Sequence, residues 1–298
     1  MKLPKILKRY RIDKPGRFRL ADYDPCDTCG LSLDKDSAKP LLEDGIRRLA
    51  ELQSRLSAGD HWALLVIFQG MDTAGKDSAI KHVMSGVNPQ GCEVHSFGPP
   101  STEDLGHDFL WRASVRLPAR GRIGIFNRSY YEEVLITRVH PEVLDRERLP
   151  HLGKHIWKHR FDDICAFERH LVRSGVVVLK FHLRISKEEQ RQRLLARLDE
   201  PDKNWKFSMG DVVERKRWDS YMTAYEDMIR ATSTAEAPWY VVPADNKWFA
   251  RVVVAAAMIE TLERLDLRFP ALEGKALAAL KKVRRALLAE RPGRGSRT

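Results

Sequence analysis

Between Gly70 and Ser78 the chain reads Gly-Met-Asp-Thr-Ala-Gly-Lys-Asp-Ser, directly after the apolar run Trp62-Ala-Leu-Leu-Val-Ile-Phe-Gln69. Gly70 and Gly75 permit positive φ and a close approach of the backbone to an anion. Successive N–H groups of Thr73, Ala74 and their neighbours, with the start of the next helix, can then converge on phosphate oxygens. Lys76 adds a point charge. The pattern is G-x-x-x-x-G-K, in a variant where Asp77 stands at the usual Ser or Thr and the hydroxyl moves on to Ser78. Asp72 places a carboxylate beside a polyanion, which repulsion opposes unless it holds a divalent cation or a nucleophile's proton. These residues encode phosphate chemistry, with Asp72 holding either a cation or a proton.

Two further constellations can serve that chemistry. The run Arg122–Phe126 leads into Asn127-Arg128-Ser129-Tyr130-Tyr131-Glu132-Glu133, with Arg138 two helical turns beyond Tyr131. Asn127 offers a metal only a neutral oxygen, so Glu132 or Glu133 supplies any added negative charge, while Arg128 and Arg138 can fork onto phosphate. Farther on, Ser186 and Glu189 form a capping box. Arg193 and Arg197 then fall four apart on one helical face, followed by Lys203 and Lys206. Such a segment can close cations over phosphates as a lid; the alternative is an ordinary solvated helix. His151, His155 and His159 recur every fourth residue among Lys154, Lys158 and Arg160, the pattern of a solvated face.

The elements that must position these groups alternate. Apolar strands at 63–69, 92–97, 122–126, 176–183 and 239–242 are separated by helical stretches, and Leu41–Leu56 has helical spacing. This predicts an α/β, P-loop kinase-like three-layer fold: a mainly parallel five-stranded sheet with helices on both faces and a helical lid. Ligands then bind at the carboxyl ends of the strands. The expected organisation is an irregular basic N-terminal arm (1–40), a P-loop domain (41–270) with its lid at about 186–218, and a basic C-terminal helix and tail (271–298).

The chain has 298 residues and a net charge of +11, concentrated at its ends. Residues 1–19 hold eight cations and one acid, residues 275–298 likewise, so the body between them is mildly acidic. Such tails hold polyanions nonspecifically, and a non-catalytic polyanion- or nucleic-acid-binding protein is the reading from another class. The stretch 275–291 is a basic amphipathic helix with Leu277, Leu280, Val283, Leu287 and Leu288 as its apolar side. Four cysteines make no disulfide framework, and the Cys26/Cys29 pair, in a turn-rich stretch, reads as reduced and near solvent. No run approaches the ~20 apolar residues of a membrane span, and the N-terminus lacks a signal peptide's apolar core. A cytoplasmic location is expected.

With these residues in hand, the chain resembles the polyphosphate kinase 2 family over most of residues 10–270. The resemblance rests on Gly70-x-Asp72-x-Ala-Gly-Lys76-Asp77, His107-Asp108-Phe-Leu-Trp-Arg112, Phe126-Asn-Arg128-Ser, Lys203-x-Trp205-Lys206-x-Ser208, and Trp218 with Tyr221. It implies Mg2+, or Mn2+ in its place, and transfer between inorganic polyphosphate and AMP, ADP or ATP, with guanine nucleotides left open. It also implies a homo-oligomer, dimer or tetramer. In the site so implied, Lys76, Arg128, Arg193, Arg197, Lys203 and Lys206 meet phosphates. Asp72 holds metal, with Glu133 as a second candidate, and Arg112, Asn127, Glu132, Glu133 and Arg138 join Arg128 on the nucleotide side. Asn127 together with Glu132 resembles members that phosphorylate monophosphates as well as diphosphates. The nearest rival is an ATP-dependent P-loop nucleotide kinase, similar to thymidylate kinases.

Overall fold

In the computed structural model, which describes residues 3–31, 34, 36–150, 153–205 and 207–290, the run Ala63–Gln69 is strand β1 and is buried at every position. Seven consecutive apolar or amide residues with no polar alternation demand cover on both faces, as in a central strand of a parallel sheet. The five strands are β1, β2 (Cys92–Ser96), β3 (Ile123–Asn127), β4 (Val176–Arg184) and β5 (Trp239–Pro243), in the order β2-β3-β1-β4-β5. All four strand pairs are parallel. Phe68 pairs with Asn127 and Gln69 with His182, so three strand ends meet where the strand order reverses, the crevice that binds ligands in such sheets.

The helices are α1 (Leu3–Tyr10), α2 (Lys39–Gly59), α3 (Lys76–Val83), α4 (Trp111–Ser114), α5 (Ile136–Val139), α6 (Ile156–Arg173), α7 (Lys187–Asp199), α8 (Pro201–Asn204), α9 (Met209–Arg215), α10 (Trp218–Thr232), α11 (Lys247–Glu263) and α12 (Gly274–Ala289). One layer groups α11 with α1, α2 and α3; the other groups α10 with α5 and α6. Helix α11 is the core of its layer, burying ten side chains from Phe249 to Leu262. Its valines, alanines and Met258 leave little polar surface, so it must be covered on most sides.

The N-terminal arm departs from the irregular course expected of it. Ile6, Leu7 and Tyr10 of α1 are buried and face α11 and β5, Arg11 bridges to Tyr240, and Ile12 N donates to Trp239 O at 2.9 Å. The i, i+1, i+4 apolar spacing was present; the surrounding lysines and prolines masked it. Helix α12 forms as expected, and its whole surface is exposed among the described residues. His155 and His159 lie exposed on the solvated side of the chain, while His151, Lys206 and the tail 291–298 lie outside the described residues. The four cysteines are free thiols. No helix among the described residues is long and apolar enough to cross a membrane.

Candidate active site

The loop leaves β1 through Gly70, whose φ of 152° and whose approach to Leu183 O, 2.8 Å from where a Cβ would stand, admit no side chain. Gly75, at φ 103°, begins α3. Thr73 also takes a positive φ, 65°, and its hydroxyl is buried without a hydrogen bond. Strain in non-glycine residues persists where surrounding structure over-determines it, as at ligand-binding loops. The lysine Nζ of Lys76 donates to Gly70 O at 2.7 Å and Met71 O at 3.3 Å, so the loop wraps its own cation. Burial lowers the Lys76 pKa, and Arg128 nearby lowers it further.

Residues after β3 face this loop. Arg128 N donates to Phe68 O at 2.9 Å, extending the ladder by one residue, and a left-handed φ of 62° then turns the side chain onto Asp72. Its Nη2 donates to Asp72 Oδ1 at 2.7 Å. Glu132, first, and then Asp72 hold the Arg128 guanidinium above its ordinary pKa against burial. Burial raises the Glu132 pKa, and Arg128 and Lys76 oppose that rise. Asn127 Nδ2 donates to Asp77 Oδ1 at 2.6 Å. Lys76, Asp72, Arg128, Glu132, Asn127 and Asp77 thus form one interacting cluster at the carboxyl ends of β1 and β3.

A buried network sets the turn that carries Glu132. Tyr130 and Tyr131 both donate to Glu168 Oε1, at 2.8 and 2.7 Å. Lys180 Nζ spends its three protons on Glu168 Oε2 (2.6 Å), Thr232 O (2.8 Å) and Tyr131 Oη (3.0 Å). Every member is buried and satisfied, the condition under which such a network rigidifies rather than destabilises. Gln69, with its amide turned so that Nε2 lies 2.9 Å from Glu132 Oε1, ties the carboxylate to β1.

Several residues assigned to phosphate or nucleotide from the sequence are engaged elsewhere. Arg193 commits all five N–H groups: Nε to Glu189 (2.7 Å), Nη1 to Thr73 O (2.9 Å) and Ala74 O (3.2 Å), Nη2 to Ala244 O (2.7 Å) and Asp245 O (2.9 Å). It buttresses the loop from behind. Arg112 binds Gly98 O and Glu133 Oε1 in the interior. Glu133 faces Arg112 rather than the loop, which removes the reason to make it a metal ligand; burial pushes its carboxyl up to about 7. Arg138 pairs with Asp227 at 2.8 Å. In the segment after β4, Arg197 donates to Asp211 Oδ2 at 2.9 Å and Lys203 pairs with Glu200 on the surface. Burial and the charge of Asp72 raise the Asp211 pKa, so α9 faces the loop.

Other participants carried no sequence signal. Gln190 Nε2 donates to Asp72 O at 3.1 Å, and Arg251 Nη2 donates to Ser78 Oγ at 2.8 Å. Tyr225, buried on α10, lies within the electrostatic reach of Glu132, Asp72 and Arg128. Among the described residues no cluster of three or more His, Cys, Asp or Glu forms a ready-made cage for a metal ion. Asp72 still suits Mg2+, which takes one or two protein carboxylates and completes its shell with substrate phosphates and water. Only one of its two oxygens carries the Arg128 hydrogen bond among the described residues.

A glycine-rich loop closing on a buried lysine, at the switch point of a parallel sheet, defines the P-loop kinase-like class of α/β proteins. A profile of the polyphosphate kinase 2 (PPK2) family matches residues 32–270, and the chain belongs to that family. It is 50% identical over 266 residues to an ADP-polyphosphate phosphotransferase of Rhodopseudomonas palustris, covering 88% of this chain and 92% of that one. It is 45% identical over 264 residues to an AMP/ADP-polyphosphate phosphotransferase of Meiothermus ruber, covering 89% and 96%. The crystal structure of polyphosphate kinase 2 from Arthrobacter aurescens superposes with a TM-score of 0.86 at 40% identity, over 96% of this chain and 97% of that one.

Proposed function

We propose that this protein transfers phosphoryl groups between inorganic polyphosphate and AMP or ADP, in both directions, with Mg2+. The observation that carries the reading is the cluster of Lys76, Asp72, Arg128 and Glu132 around one loop, in a chain half identical to a polyphosphate phosphotransferase. Phosphoryl transfer asks for in-line placement and charge neutralisation more than for a protein nucleophile. The loop N–H groups from Thr73 to Ser78 and Lys76 cradle the donor phosphates. Arg128 lies on the β3 side, where it can hold the transferring phosphoryl while Asp72 fixes its guanidinium. Magnesium held by Asp72 and substrate phosphates would neutralise the charge that builds between donor and acceptor.

Glu132 faces the acceptor, and the segment 186–218 closes as a lid, with α9 already turned toward the loop. Arg193 serves the site as the loop's buttress, while Arg197, Lys203 and Lys206 supply the lid's cations. The relative of Meiothermus ruber is named for both AMP and ADP, which supports a dual acceptor here. The test is incubation of the purified protein with polyphosphate, free magnesium and either AMP or ADP, without ATP. Product nucleotides should form from both acceptors and should vanish on chelation. Absence of product from both would overturn the proposal.

A further inference from the structure

Helix α12 stands apart from the reaction cluster and from the body that carries it. It begins at Gly274, past residue 270 where the family match ends. None of its residues is buried, and none of its side chains makes a hydrogen bond or ion pair among the described residues. Its sequence nevertheless has a side that asks for cover. Leu277, Leu280, Leu287 and Leu288 recur at spacings that share a helical face, with Val283 beside them, and all five are exposed. Phe269 and Leu272, on the segment that leads into the helix, are exposed as well. Contiguous apolar surface rimmed by polar groups marks a place of contact, whereas single exposed leucines do not.

The charges decide what that contact is. Between Gly274 and Ala289 there are five cations, Lys275, Lys281, Lys282, Arg284 and Arg285, and no acid. Arg284 discriminates between partners, because it falls four residues after Leu280 and three before Leu287, on the apolar side itself. Pairing with a second α12 would bring the two Arg284 side chains and both cationic sets together, which disfavours a helix pair. A groove on another protein would have to bury Arg284 against a carboxylate, at a cost in desolvation. At a lipid–water boundary neither difficulty arises. The leucines enter the acyl region, while the stems of Arg284 and its neighbours run up to headgroup phosphates. No described helix is long and apolar enough to cross a bilayer, so α12 would lie along the surface.

We propose that α12 is a membrane-surface helix that holds this protein against an anionic phospholipid bilayer. The apolar side inserts to the acyl boundary, and the five cations meet the negative headgroups. Each cation near such a surface strengthens binding about fivefold. Attachment uses no residue of the reaction cluster and so is independent of the reaction.

The test is co-sedimentation of the full chain with vesicles of phosphatidylcholine containing phosphatidylglycerol, and with vesicles of phosphatidylcholine alone. Wild type should bind the anionic vesicles at least about tenfold more tightly. Leu280→Gln combined with Leu287→Gln should weaken that binding about tenfold or more, since two apolar side chains no longer insert. Lys281→Gln combined with Arg285→Gln should weaken it by roughly 25-fold. Tm should keep its wild-type value in both variants, because no residue of α12 is buried. Equal binding to both kinds of vesicle, or binding to neither, would overturn the proposal. Wild-type binding by the leucine variant would overturn it too, by reducing α12 to a polycation without an inserted side. A dimer in solution that the leucine variant abolishes, with no vesicle binding by wild type, would assign the apolar side to a second copy instead.

Discussion

Arg193→Ala separates two roles that a cation beside a phosphate loop can have. Seen as a phosphate ligand, Arg193 is a mobile charge whose loss weakens donor binding and leaves the fold intact. The geometry makes it a strut: its side chain is 8% exposed and its five N–H groups meet one carboxylate and four carbonyls between 2.7 and 3.2 Å. Hydrogen bonds from a charged donor contribute about 1–3 kcal/mol each, and water entering the hole replaces part of that. A net loss of about 3–5 kcal/mol is the scale of breaking a buried charged network. At about 2–4 °C per kcal/mol for a chain of this size, Tm should fall by roughly 10 °C. Thermal unfolding by calorimetry, beside steady-state kinetics with polyphosphate as the varied substrate, reads both effects. A wild-type Tm with a raised KM for polyphosphate would refute the strut.

The loop's own groups behave differently: Lys76→Ala and Asp72→Asn should each cut turnover at least ~100-fold, the cost of one charge-stabilising group, with circular dichroism unchanged. Glu132→Gln should alter the ratio of kcat/KM for AMP and ADP far more than the KM for polyphosphate, because the lost charge faces the acceptor; an equal effect on both acceptors would move Glu132 out of that site. Glu133 carries a pH signature. Its folded pKa of about 7 lies above the ordinary 4.5, so the folded state keeps this proton longer than the unfolded one and the group's contribution falls as pH rises from 4.5 to 7. Glu133→Gln should flatten the Tm-versus-pH curve over that window, and an identical curve would contradict the shift.

The strands and the loop were legible because they rest on local patterns. A seven-residue apolar run and two glycines five apart leave few alternatives, and β1, Gly70 and Gly75 take the forms expected of them. The placement of Asp72, Arg128 and Glu132 was legible for a similar reason, since each lies within five residues of a strand end. Charges farther along the chain were not. Arg193 shares helical spacing with Arg197, yet one is buried against carbonyls from two other segments and the other meets Asp211. Spacing along a helix shows which residues share a face, not what that face meets. Arg112 and Glu133 likewise satisfy each other across 21 residues.

The central claim is that Lys76 and its loop receive phosphates from polyphosphate rather than from ATP. Its most direct test is single-turnover transfer to AMP by wild type and Lys76→Ala, with polyphosphate or ATP as donor at the same free magnesium. Rapid ADP formation from polyphosphate by wild type, much slower formation from ATP, and loss of the polyphosphate reaction in Lys76→Ala are predicted. Faster transfer from ATP than from polyphosphate, or full polyphosphate activity in Lys76→Ala, would contradict it.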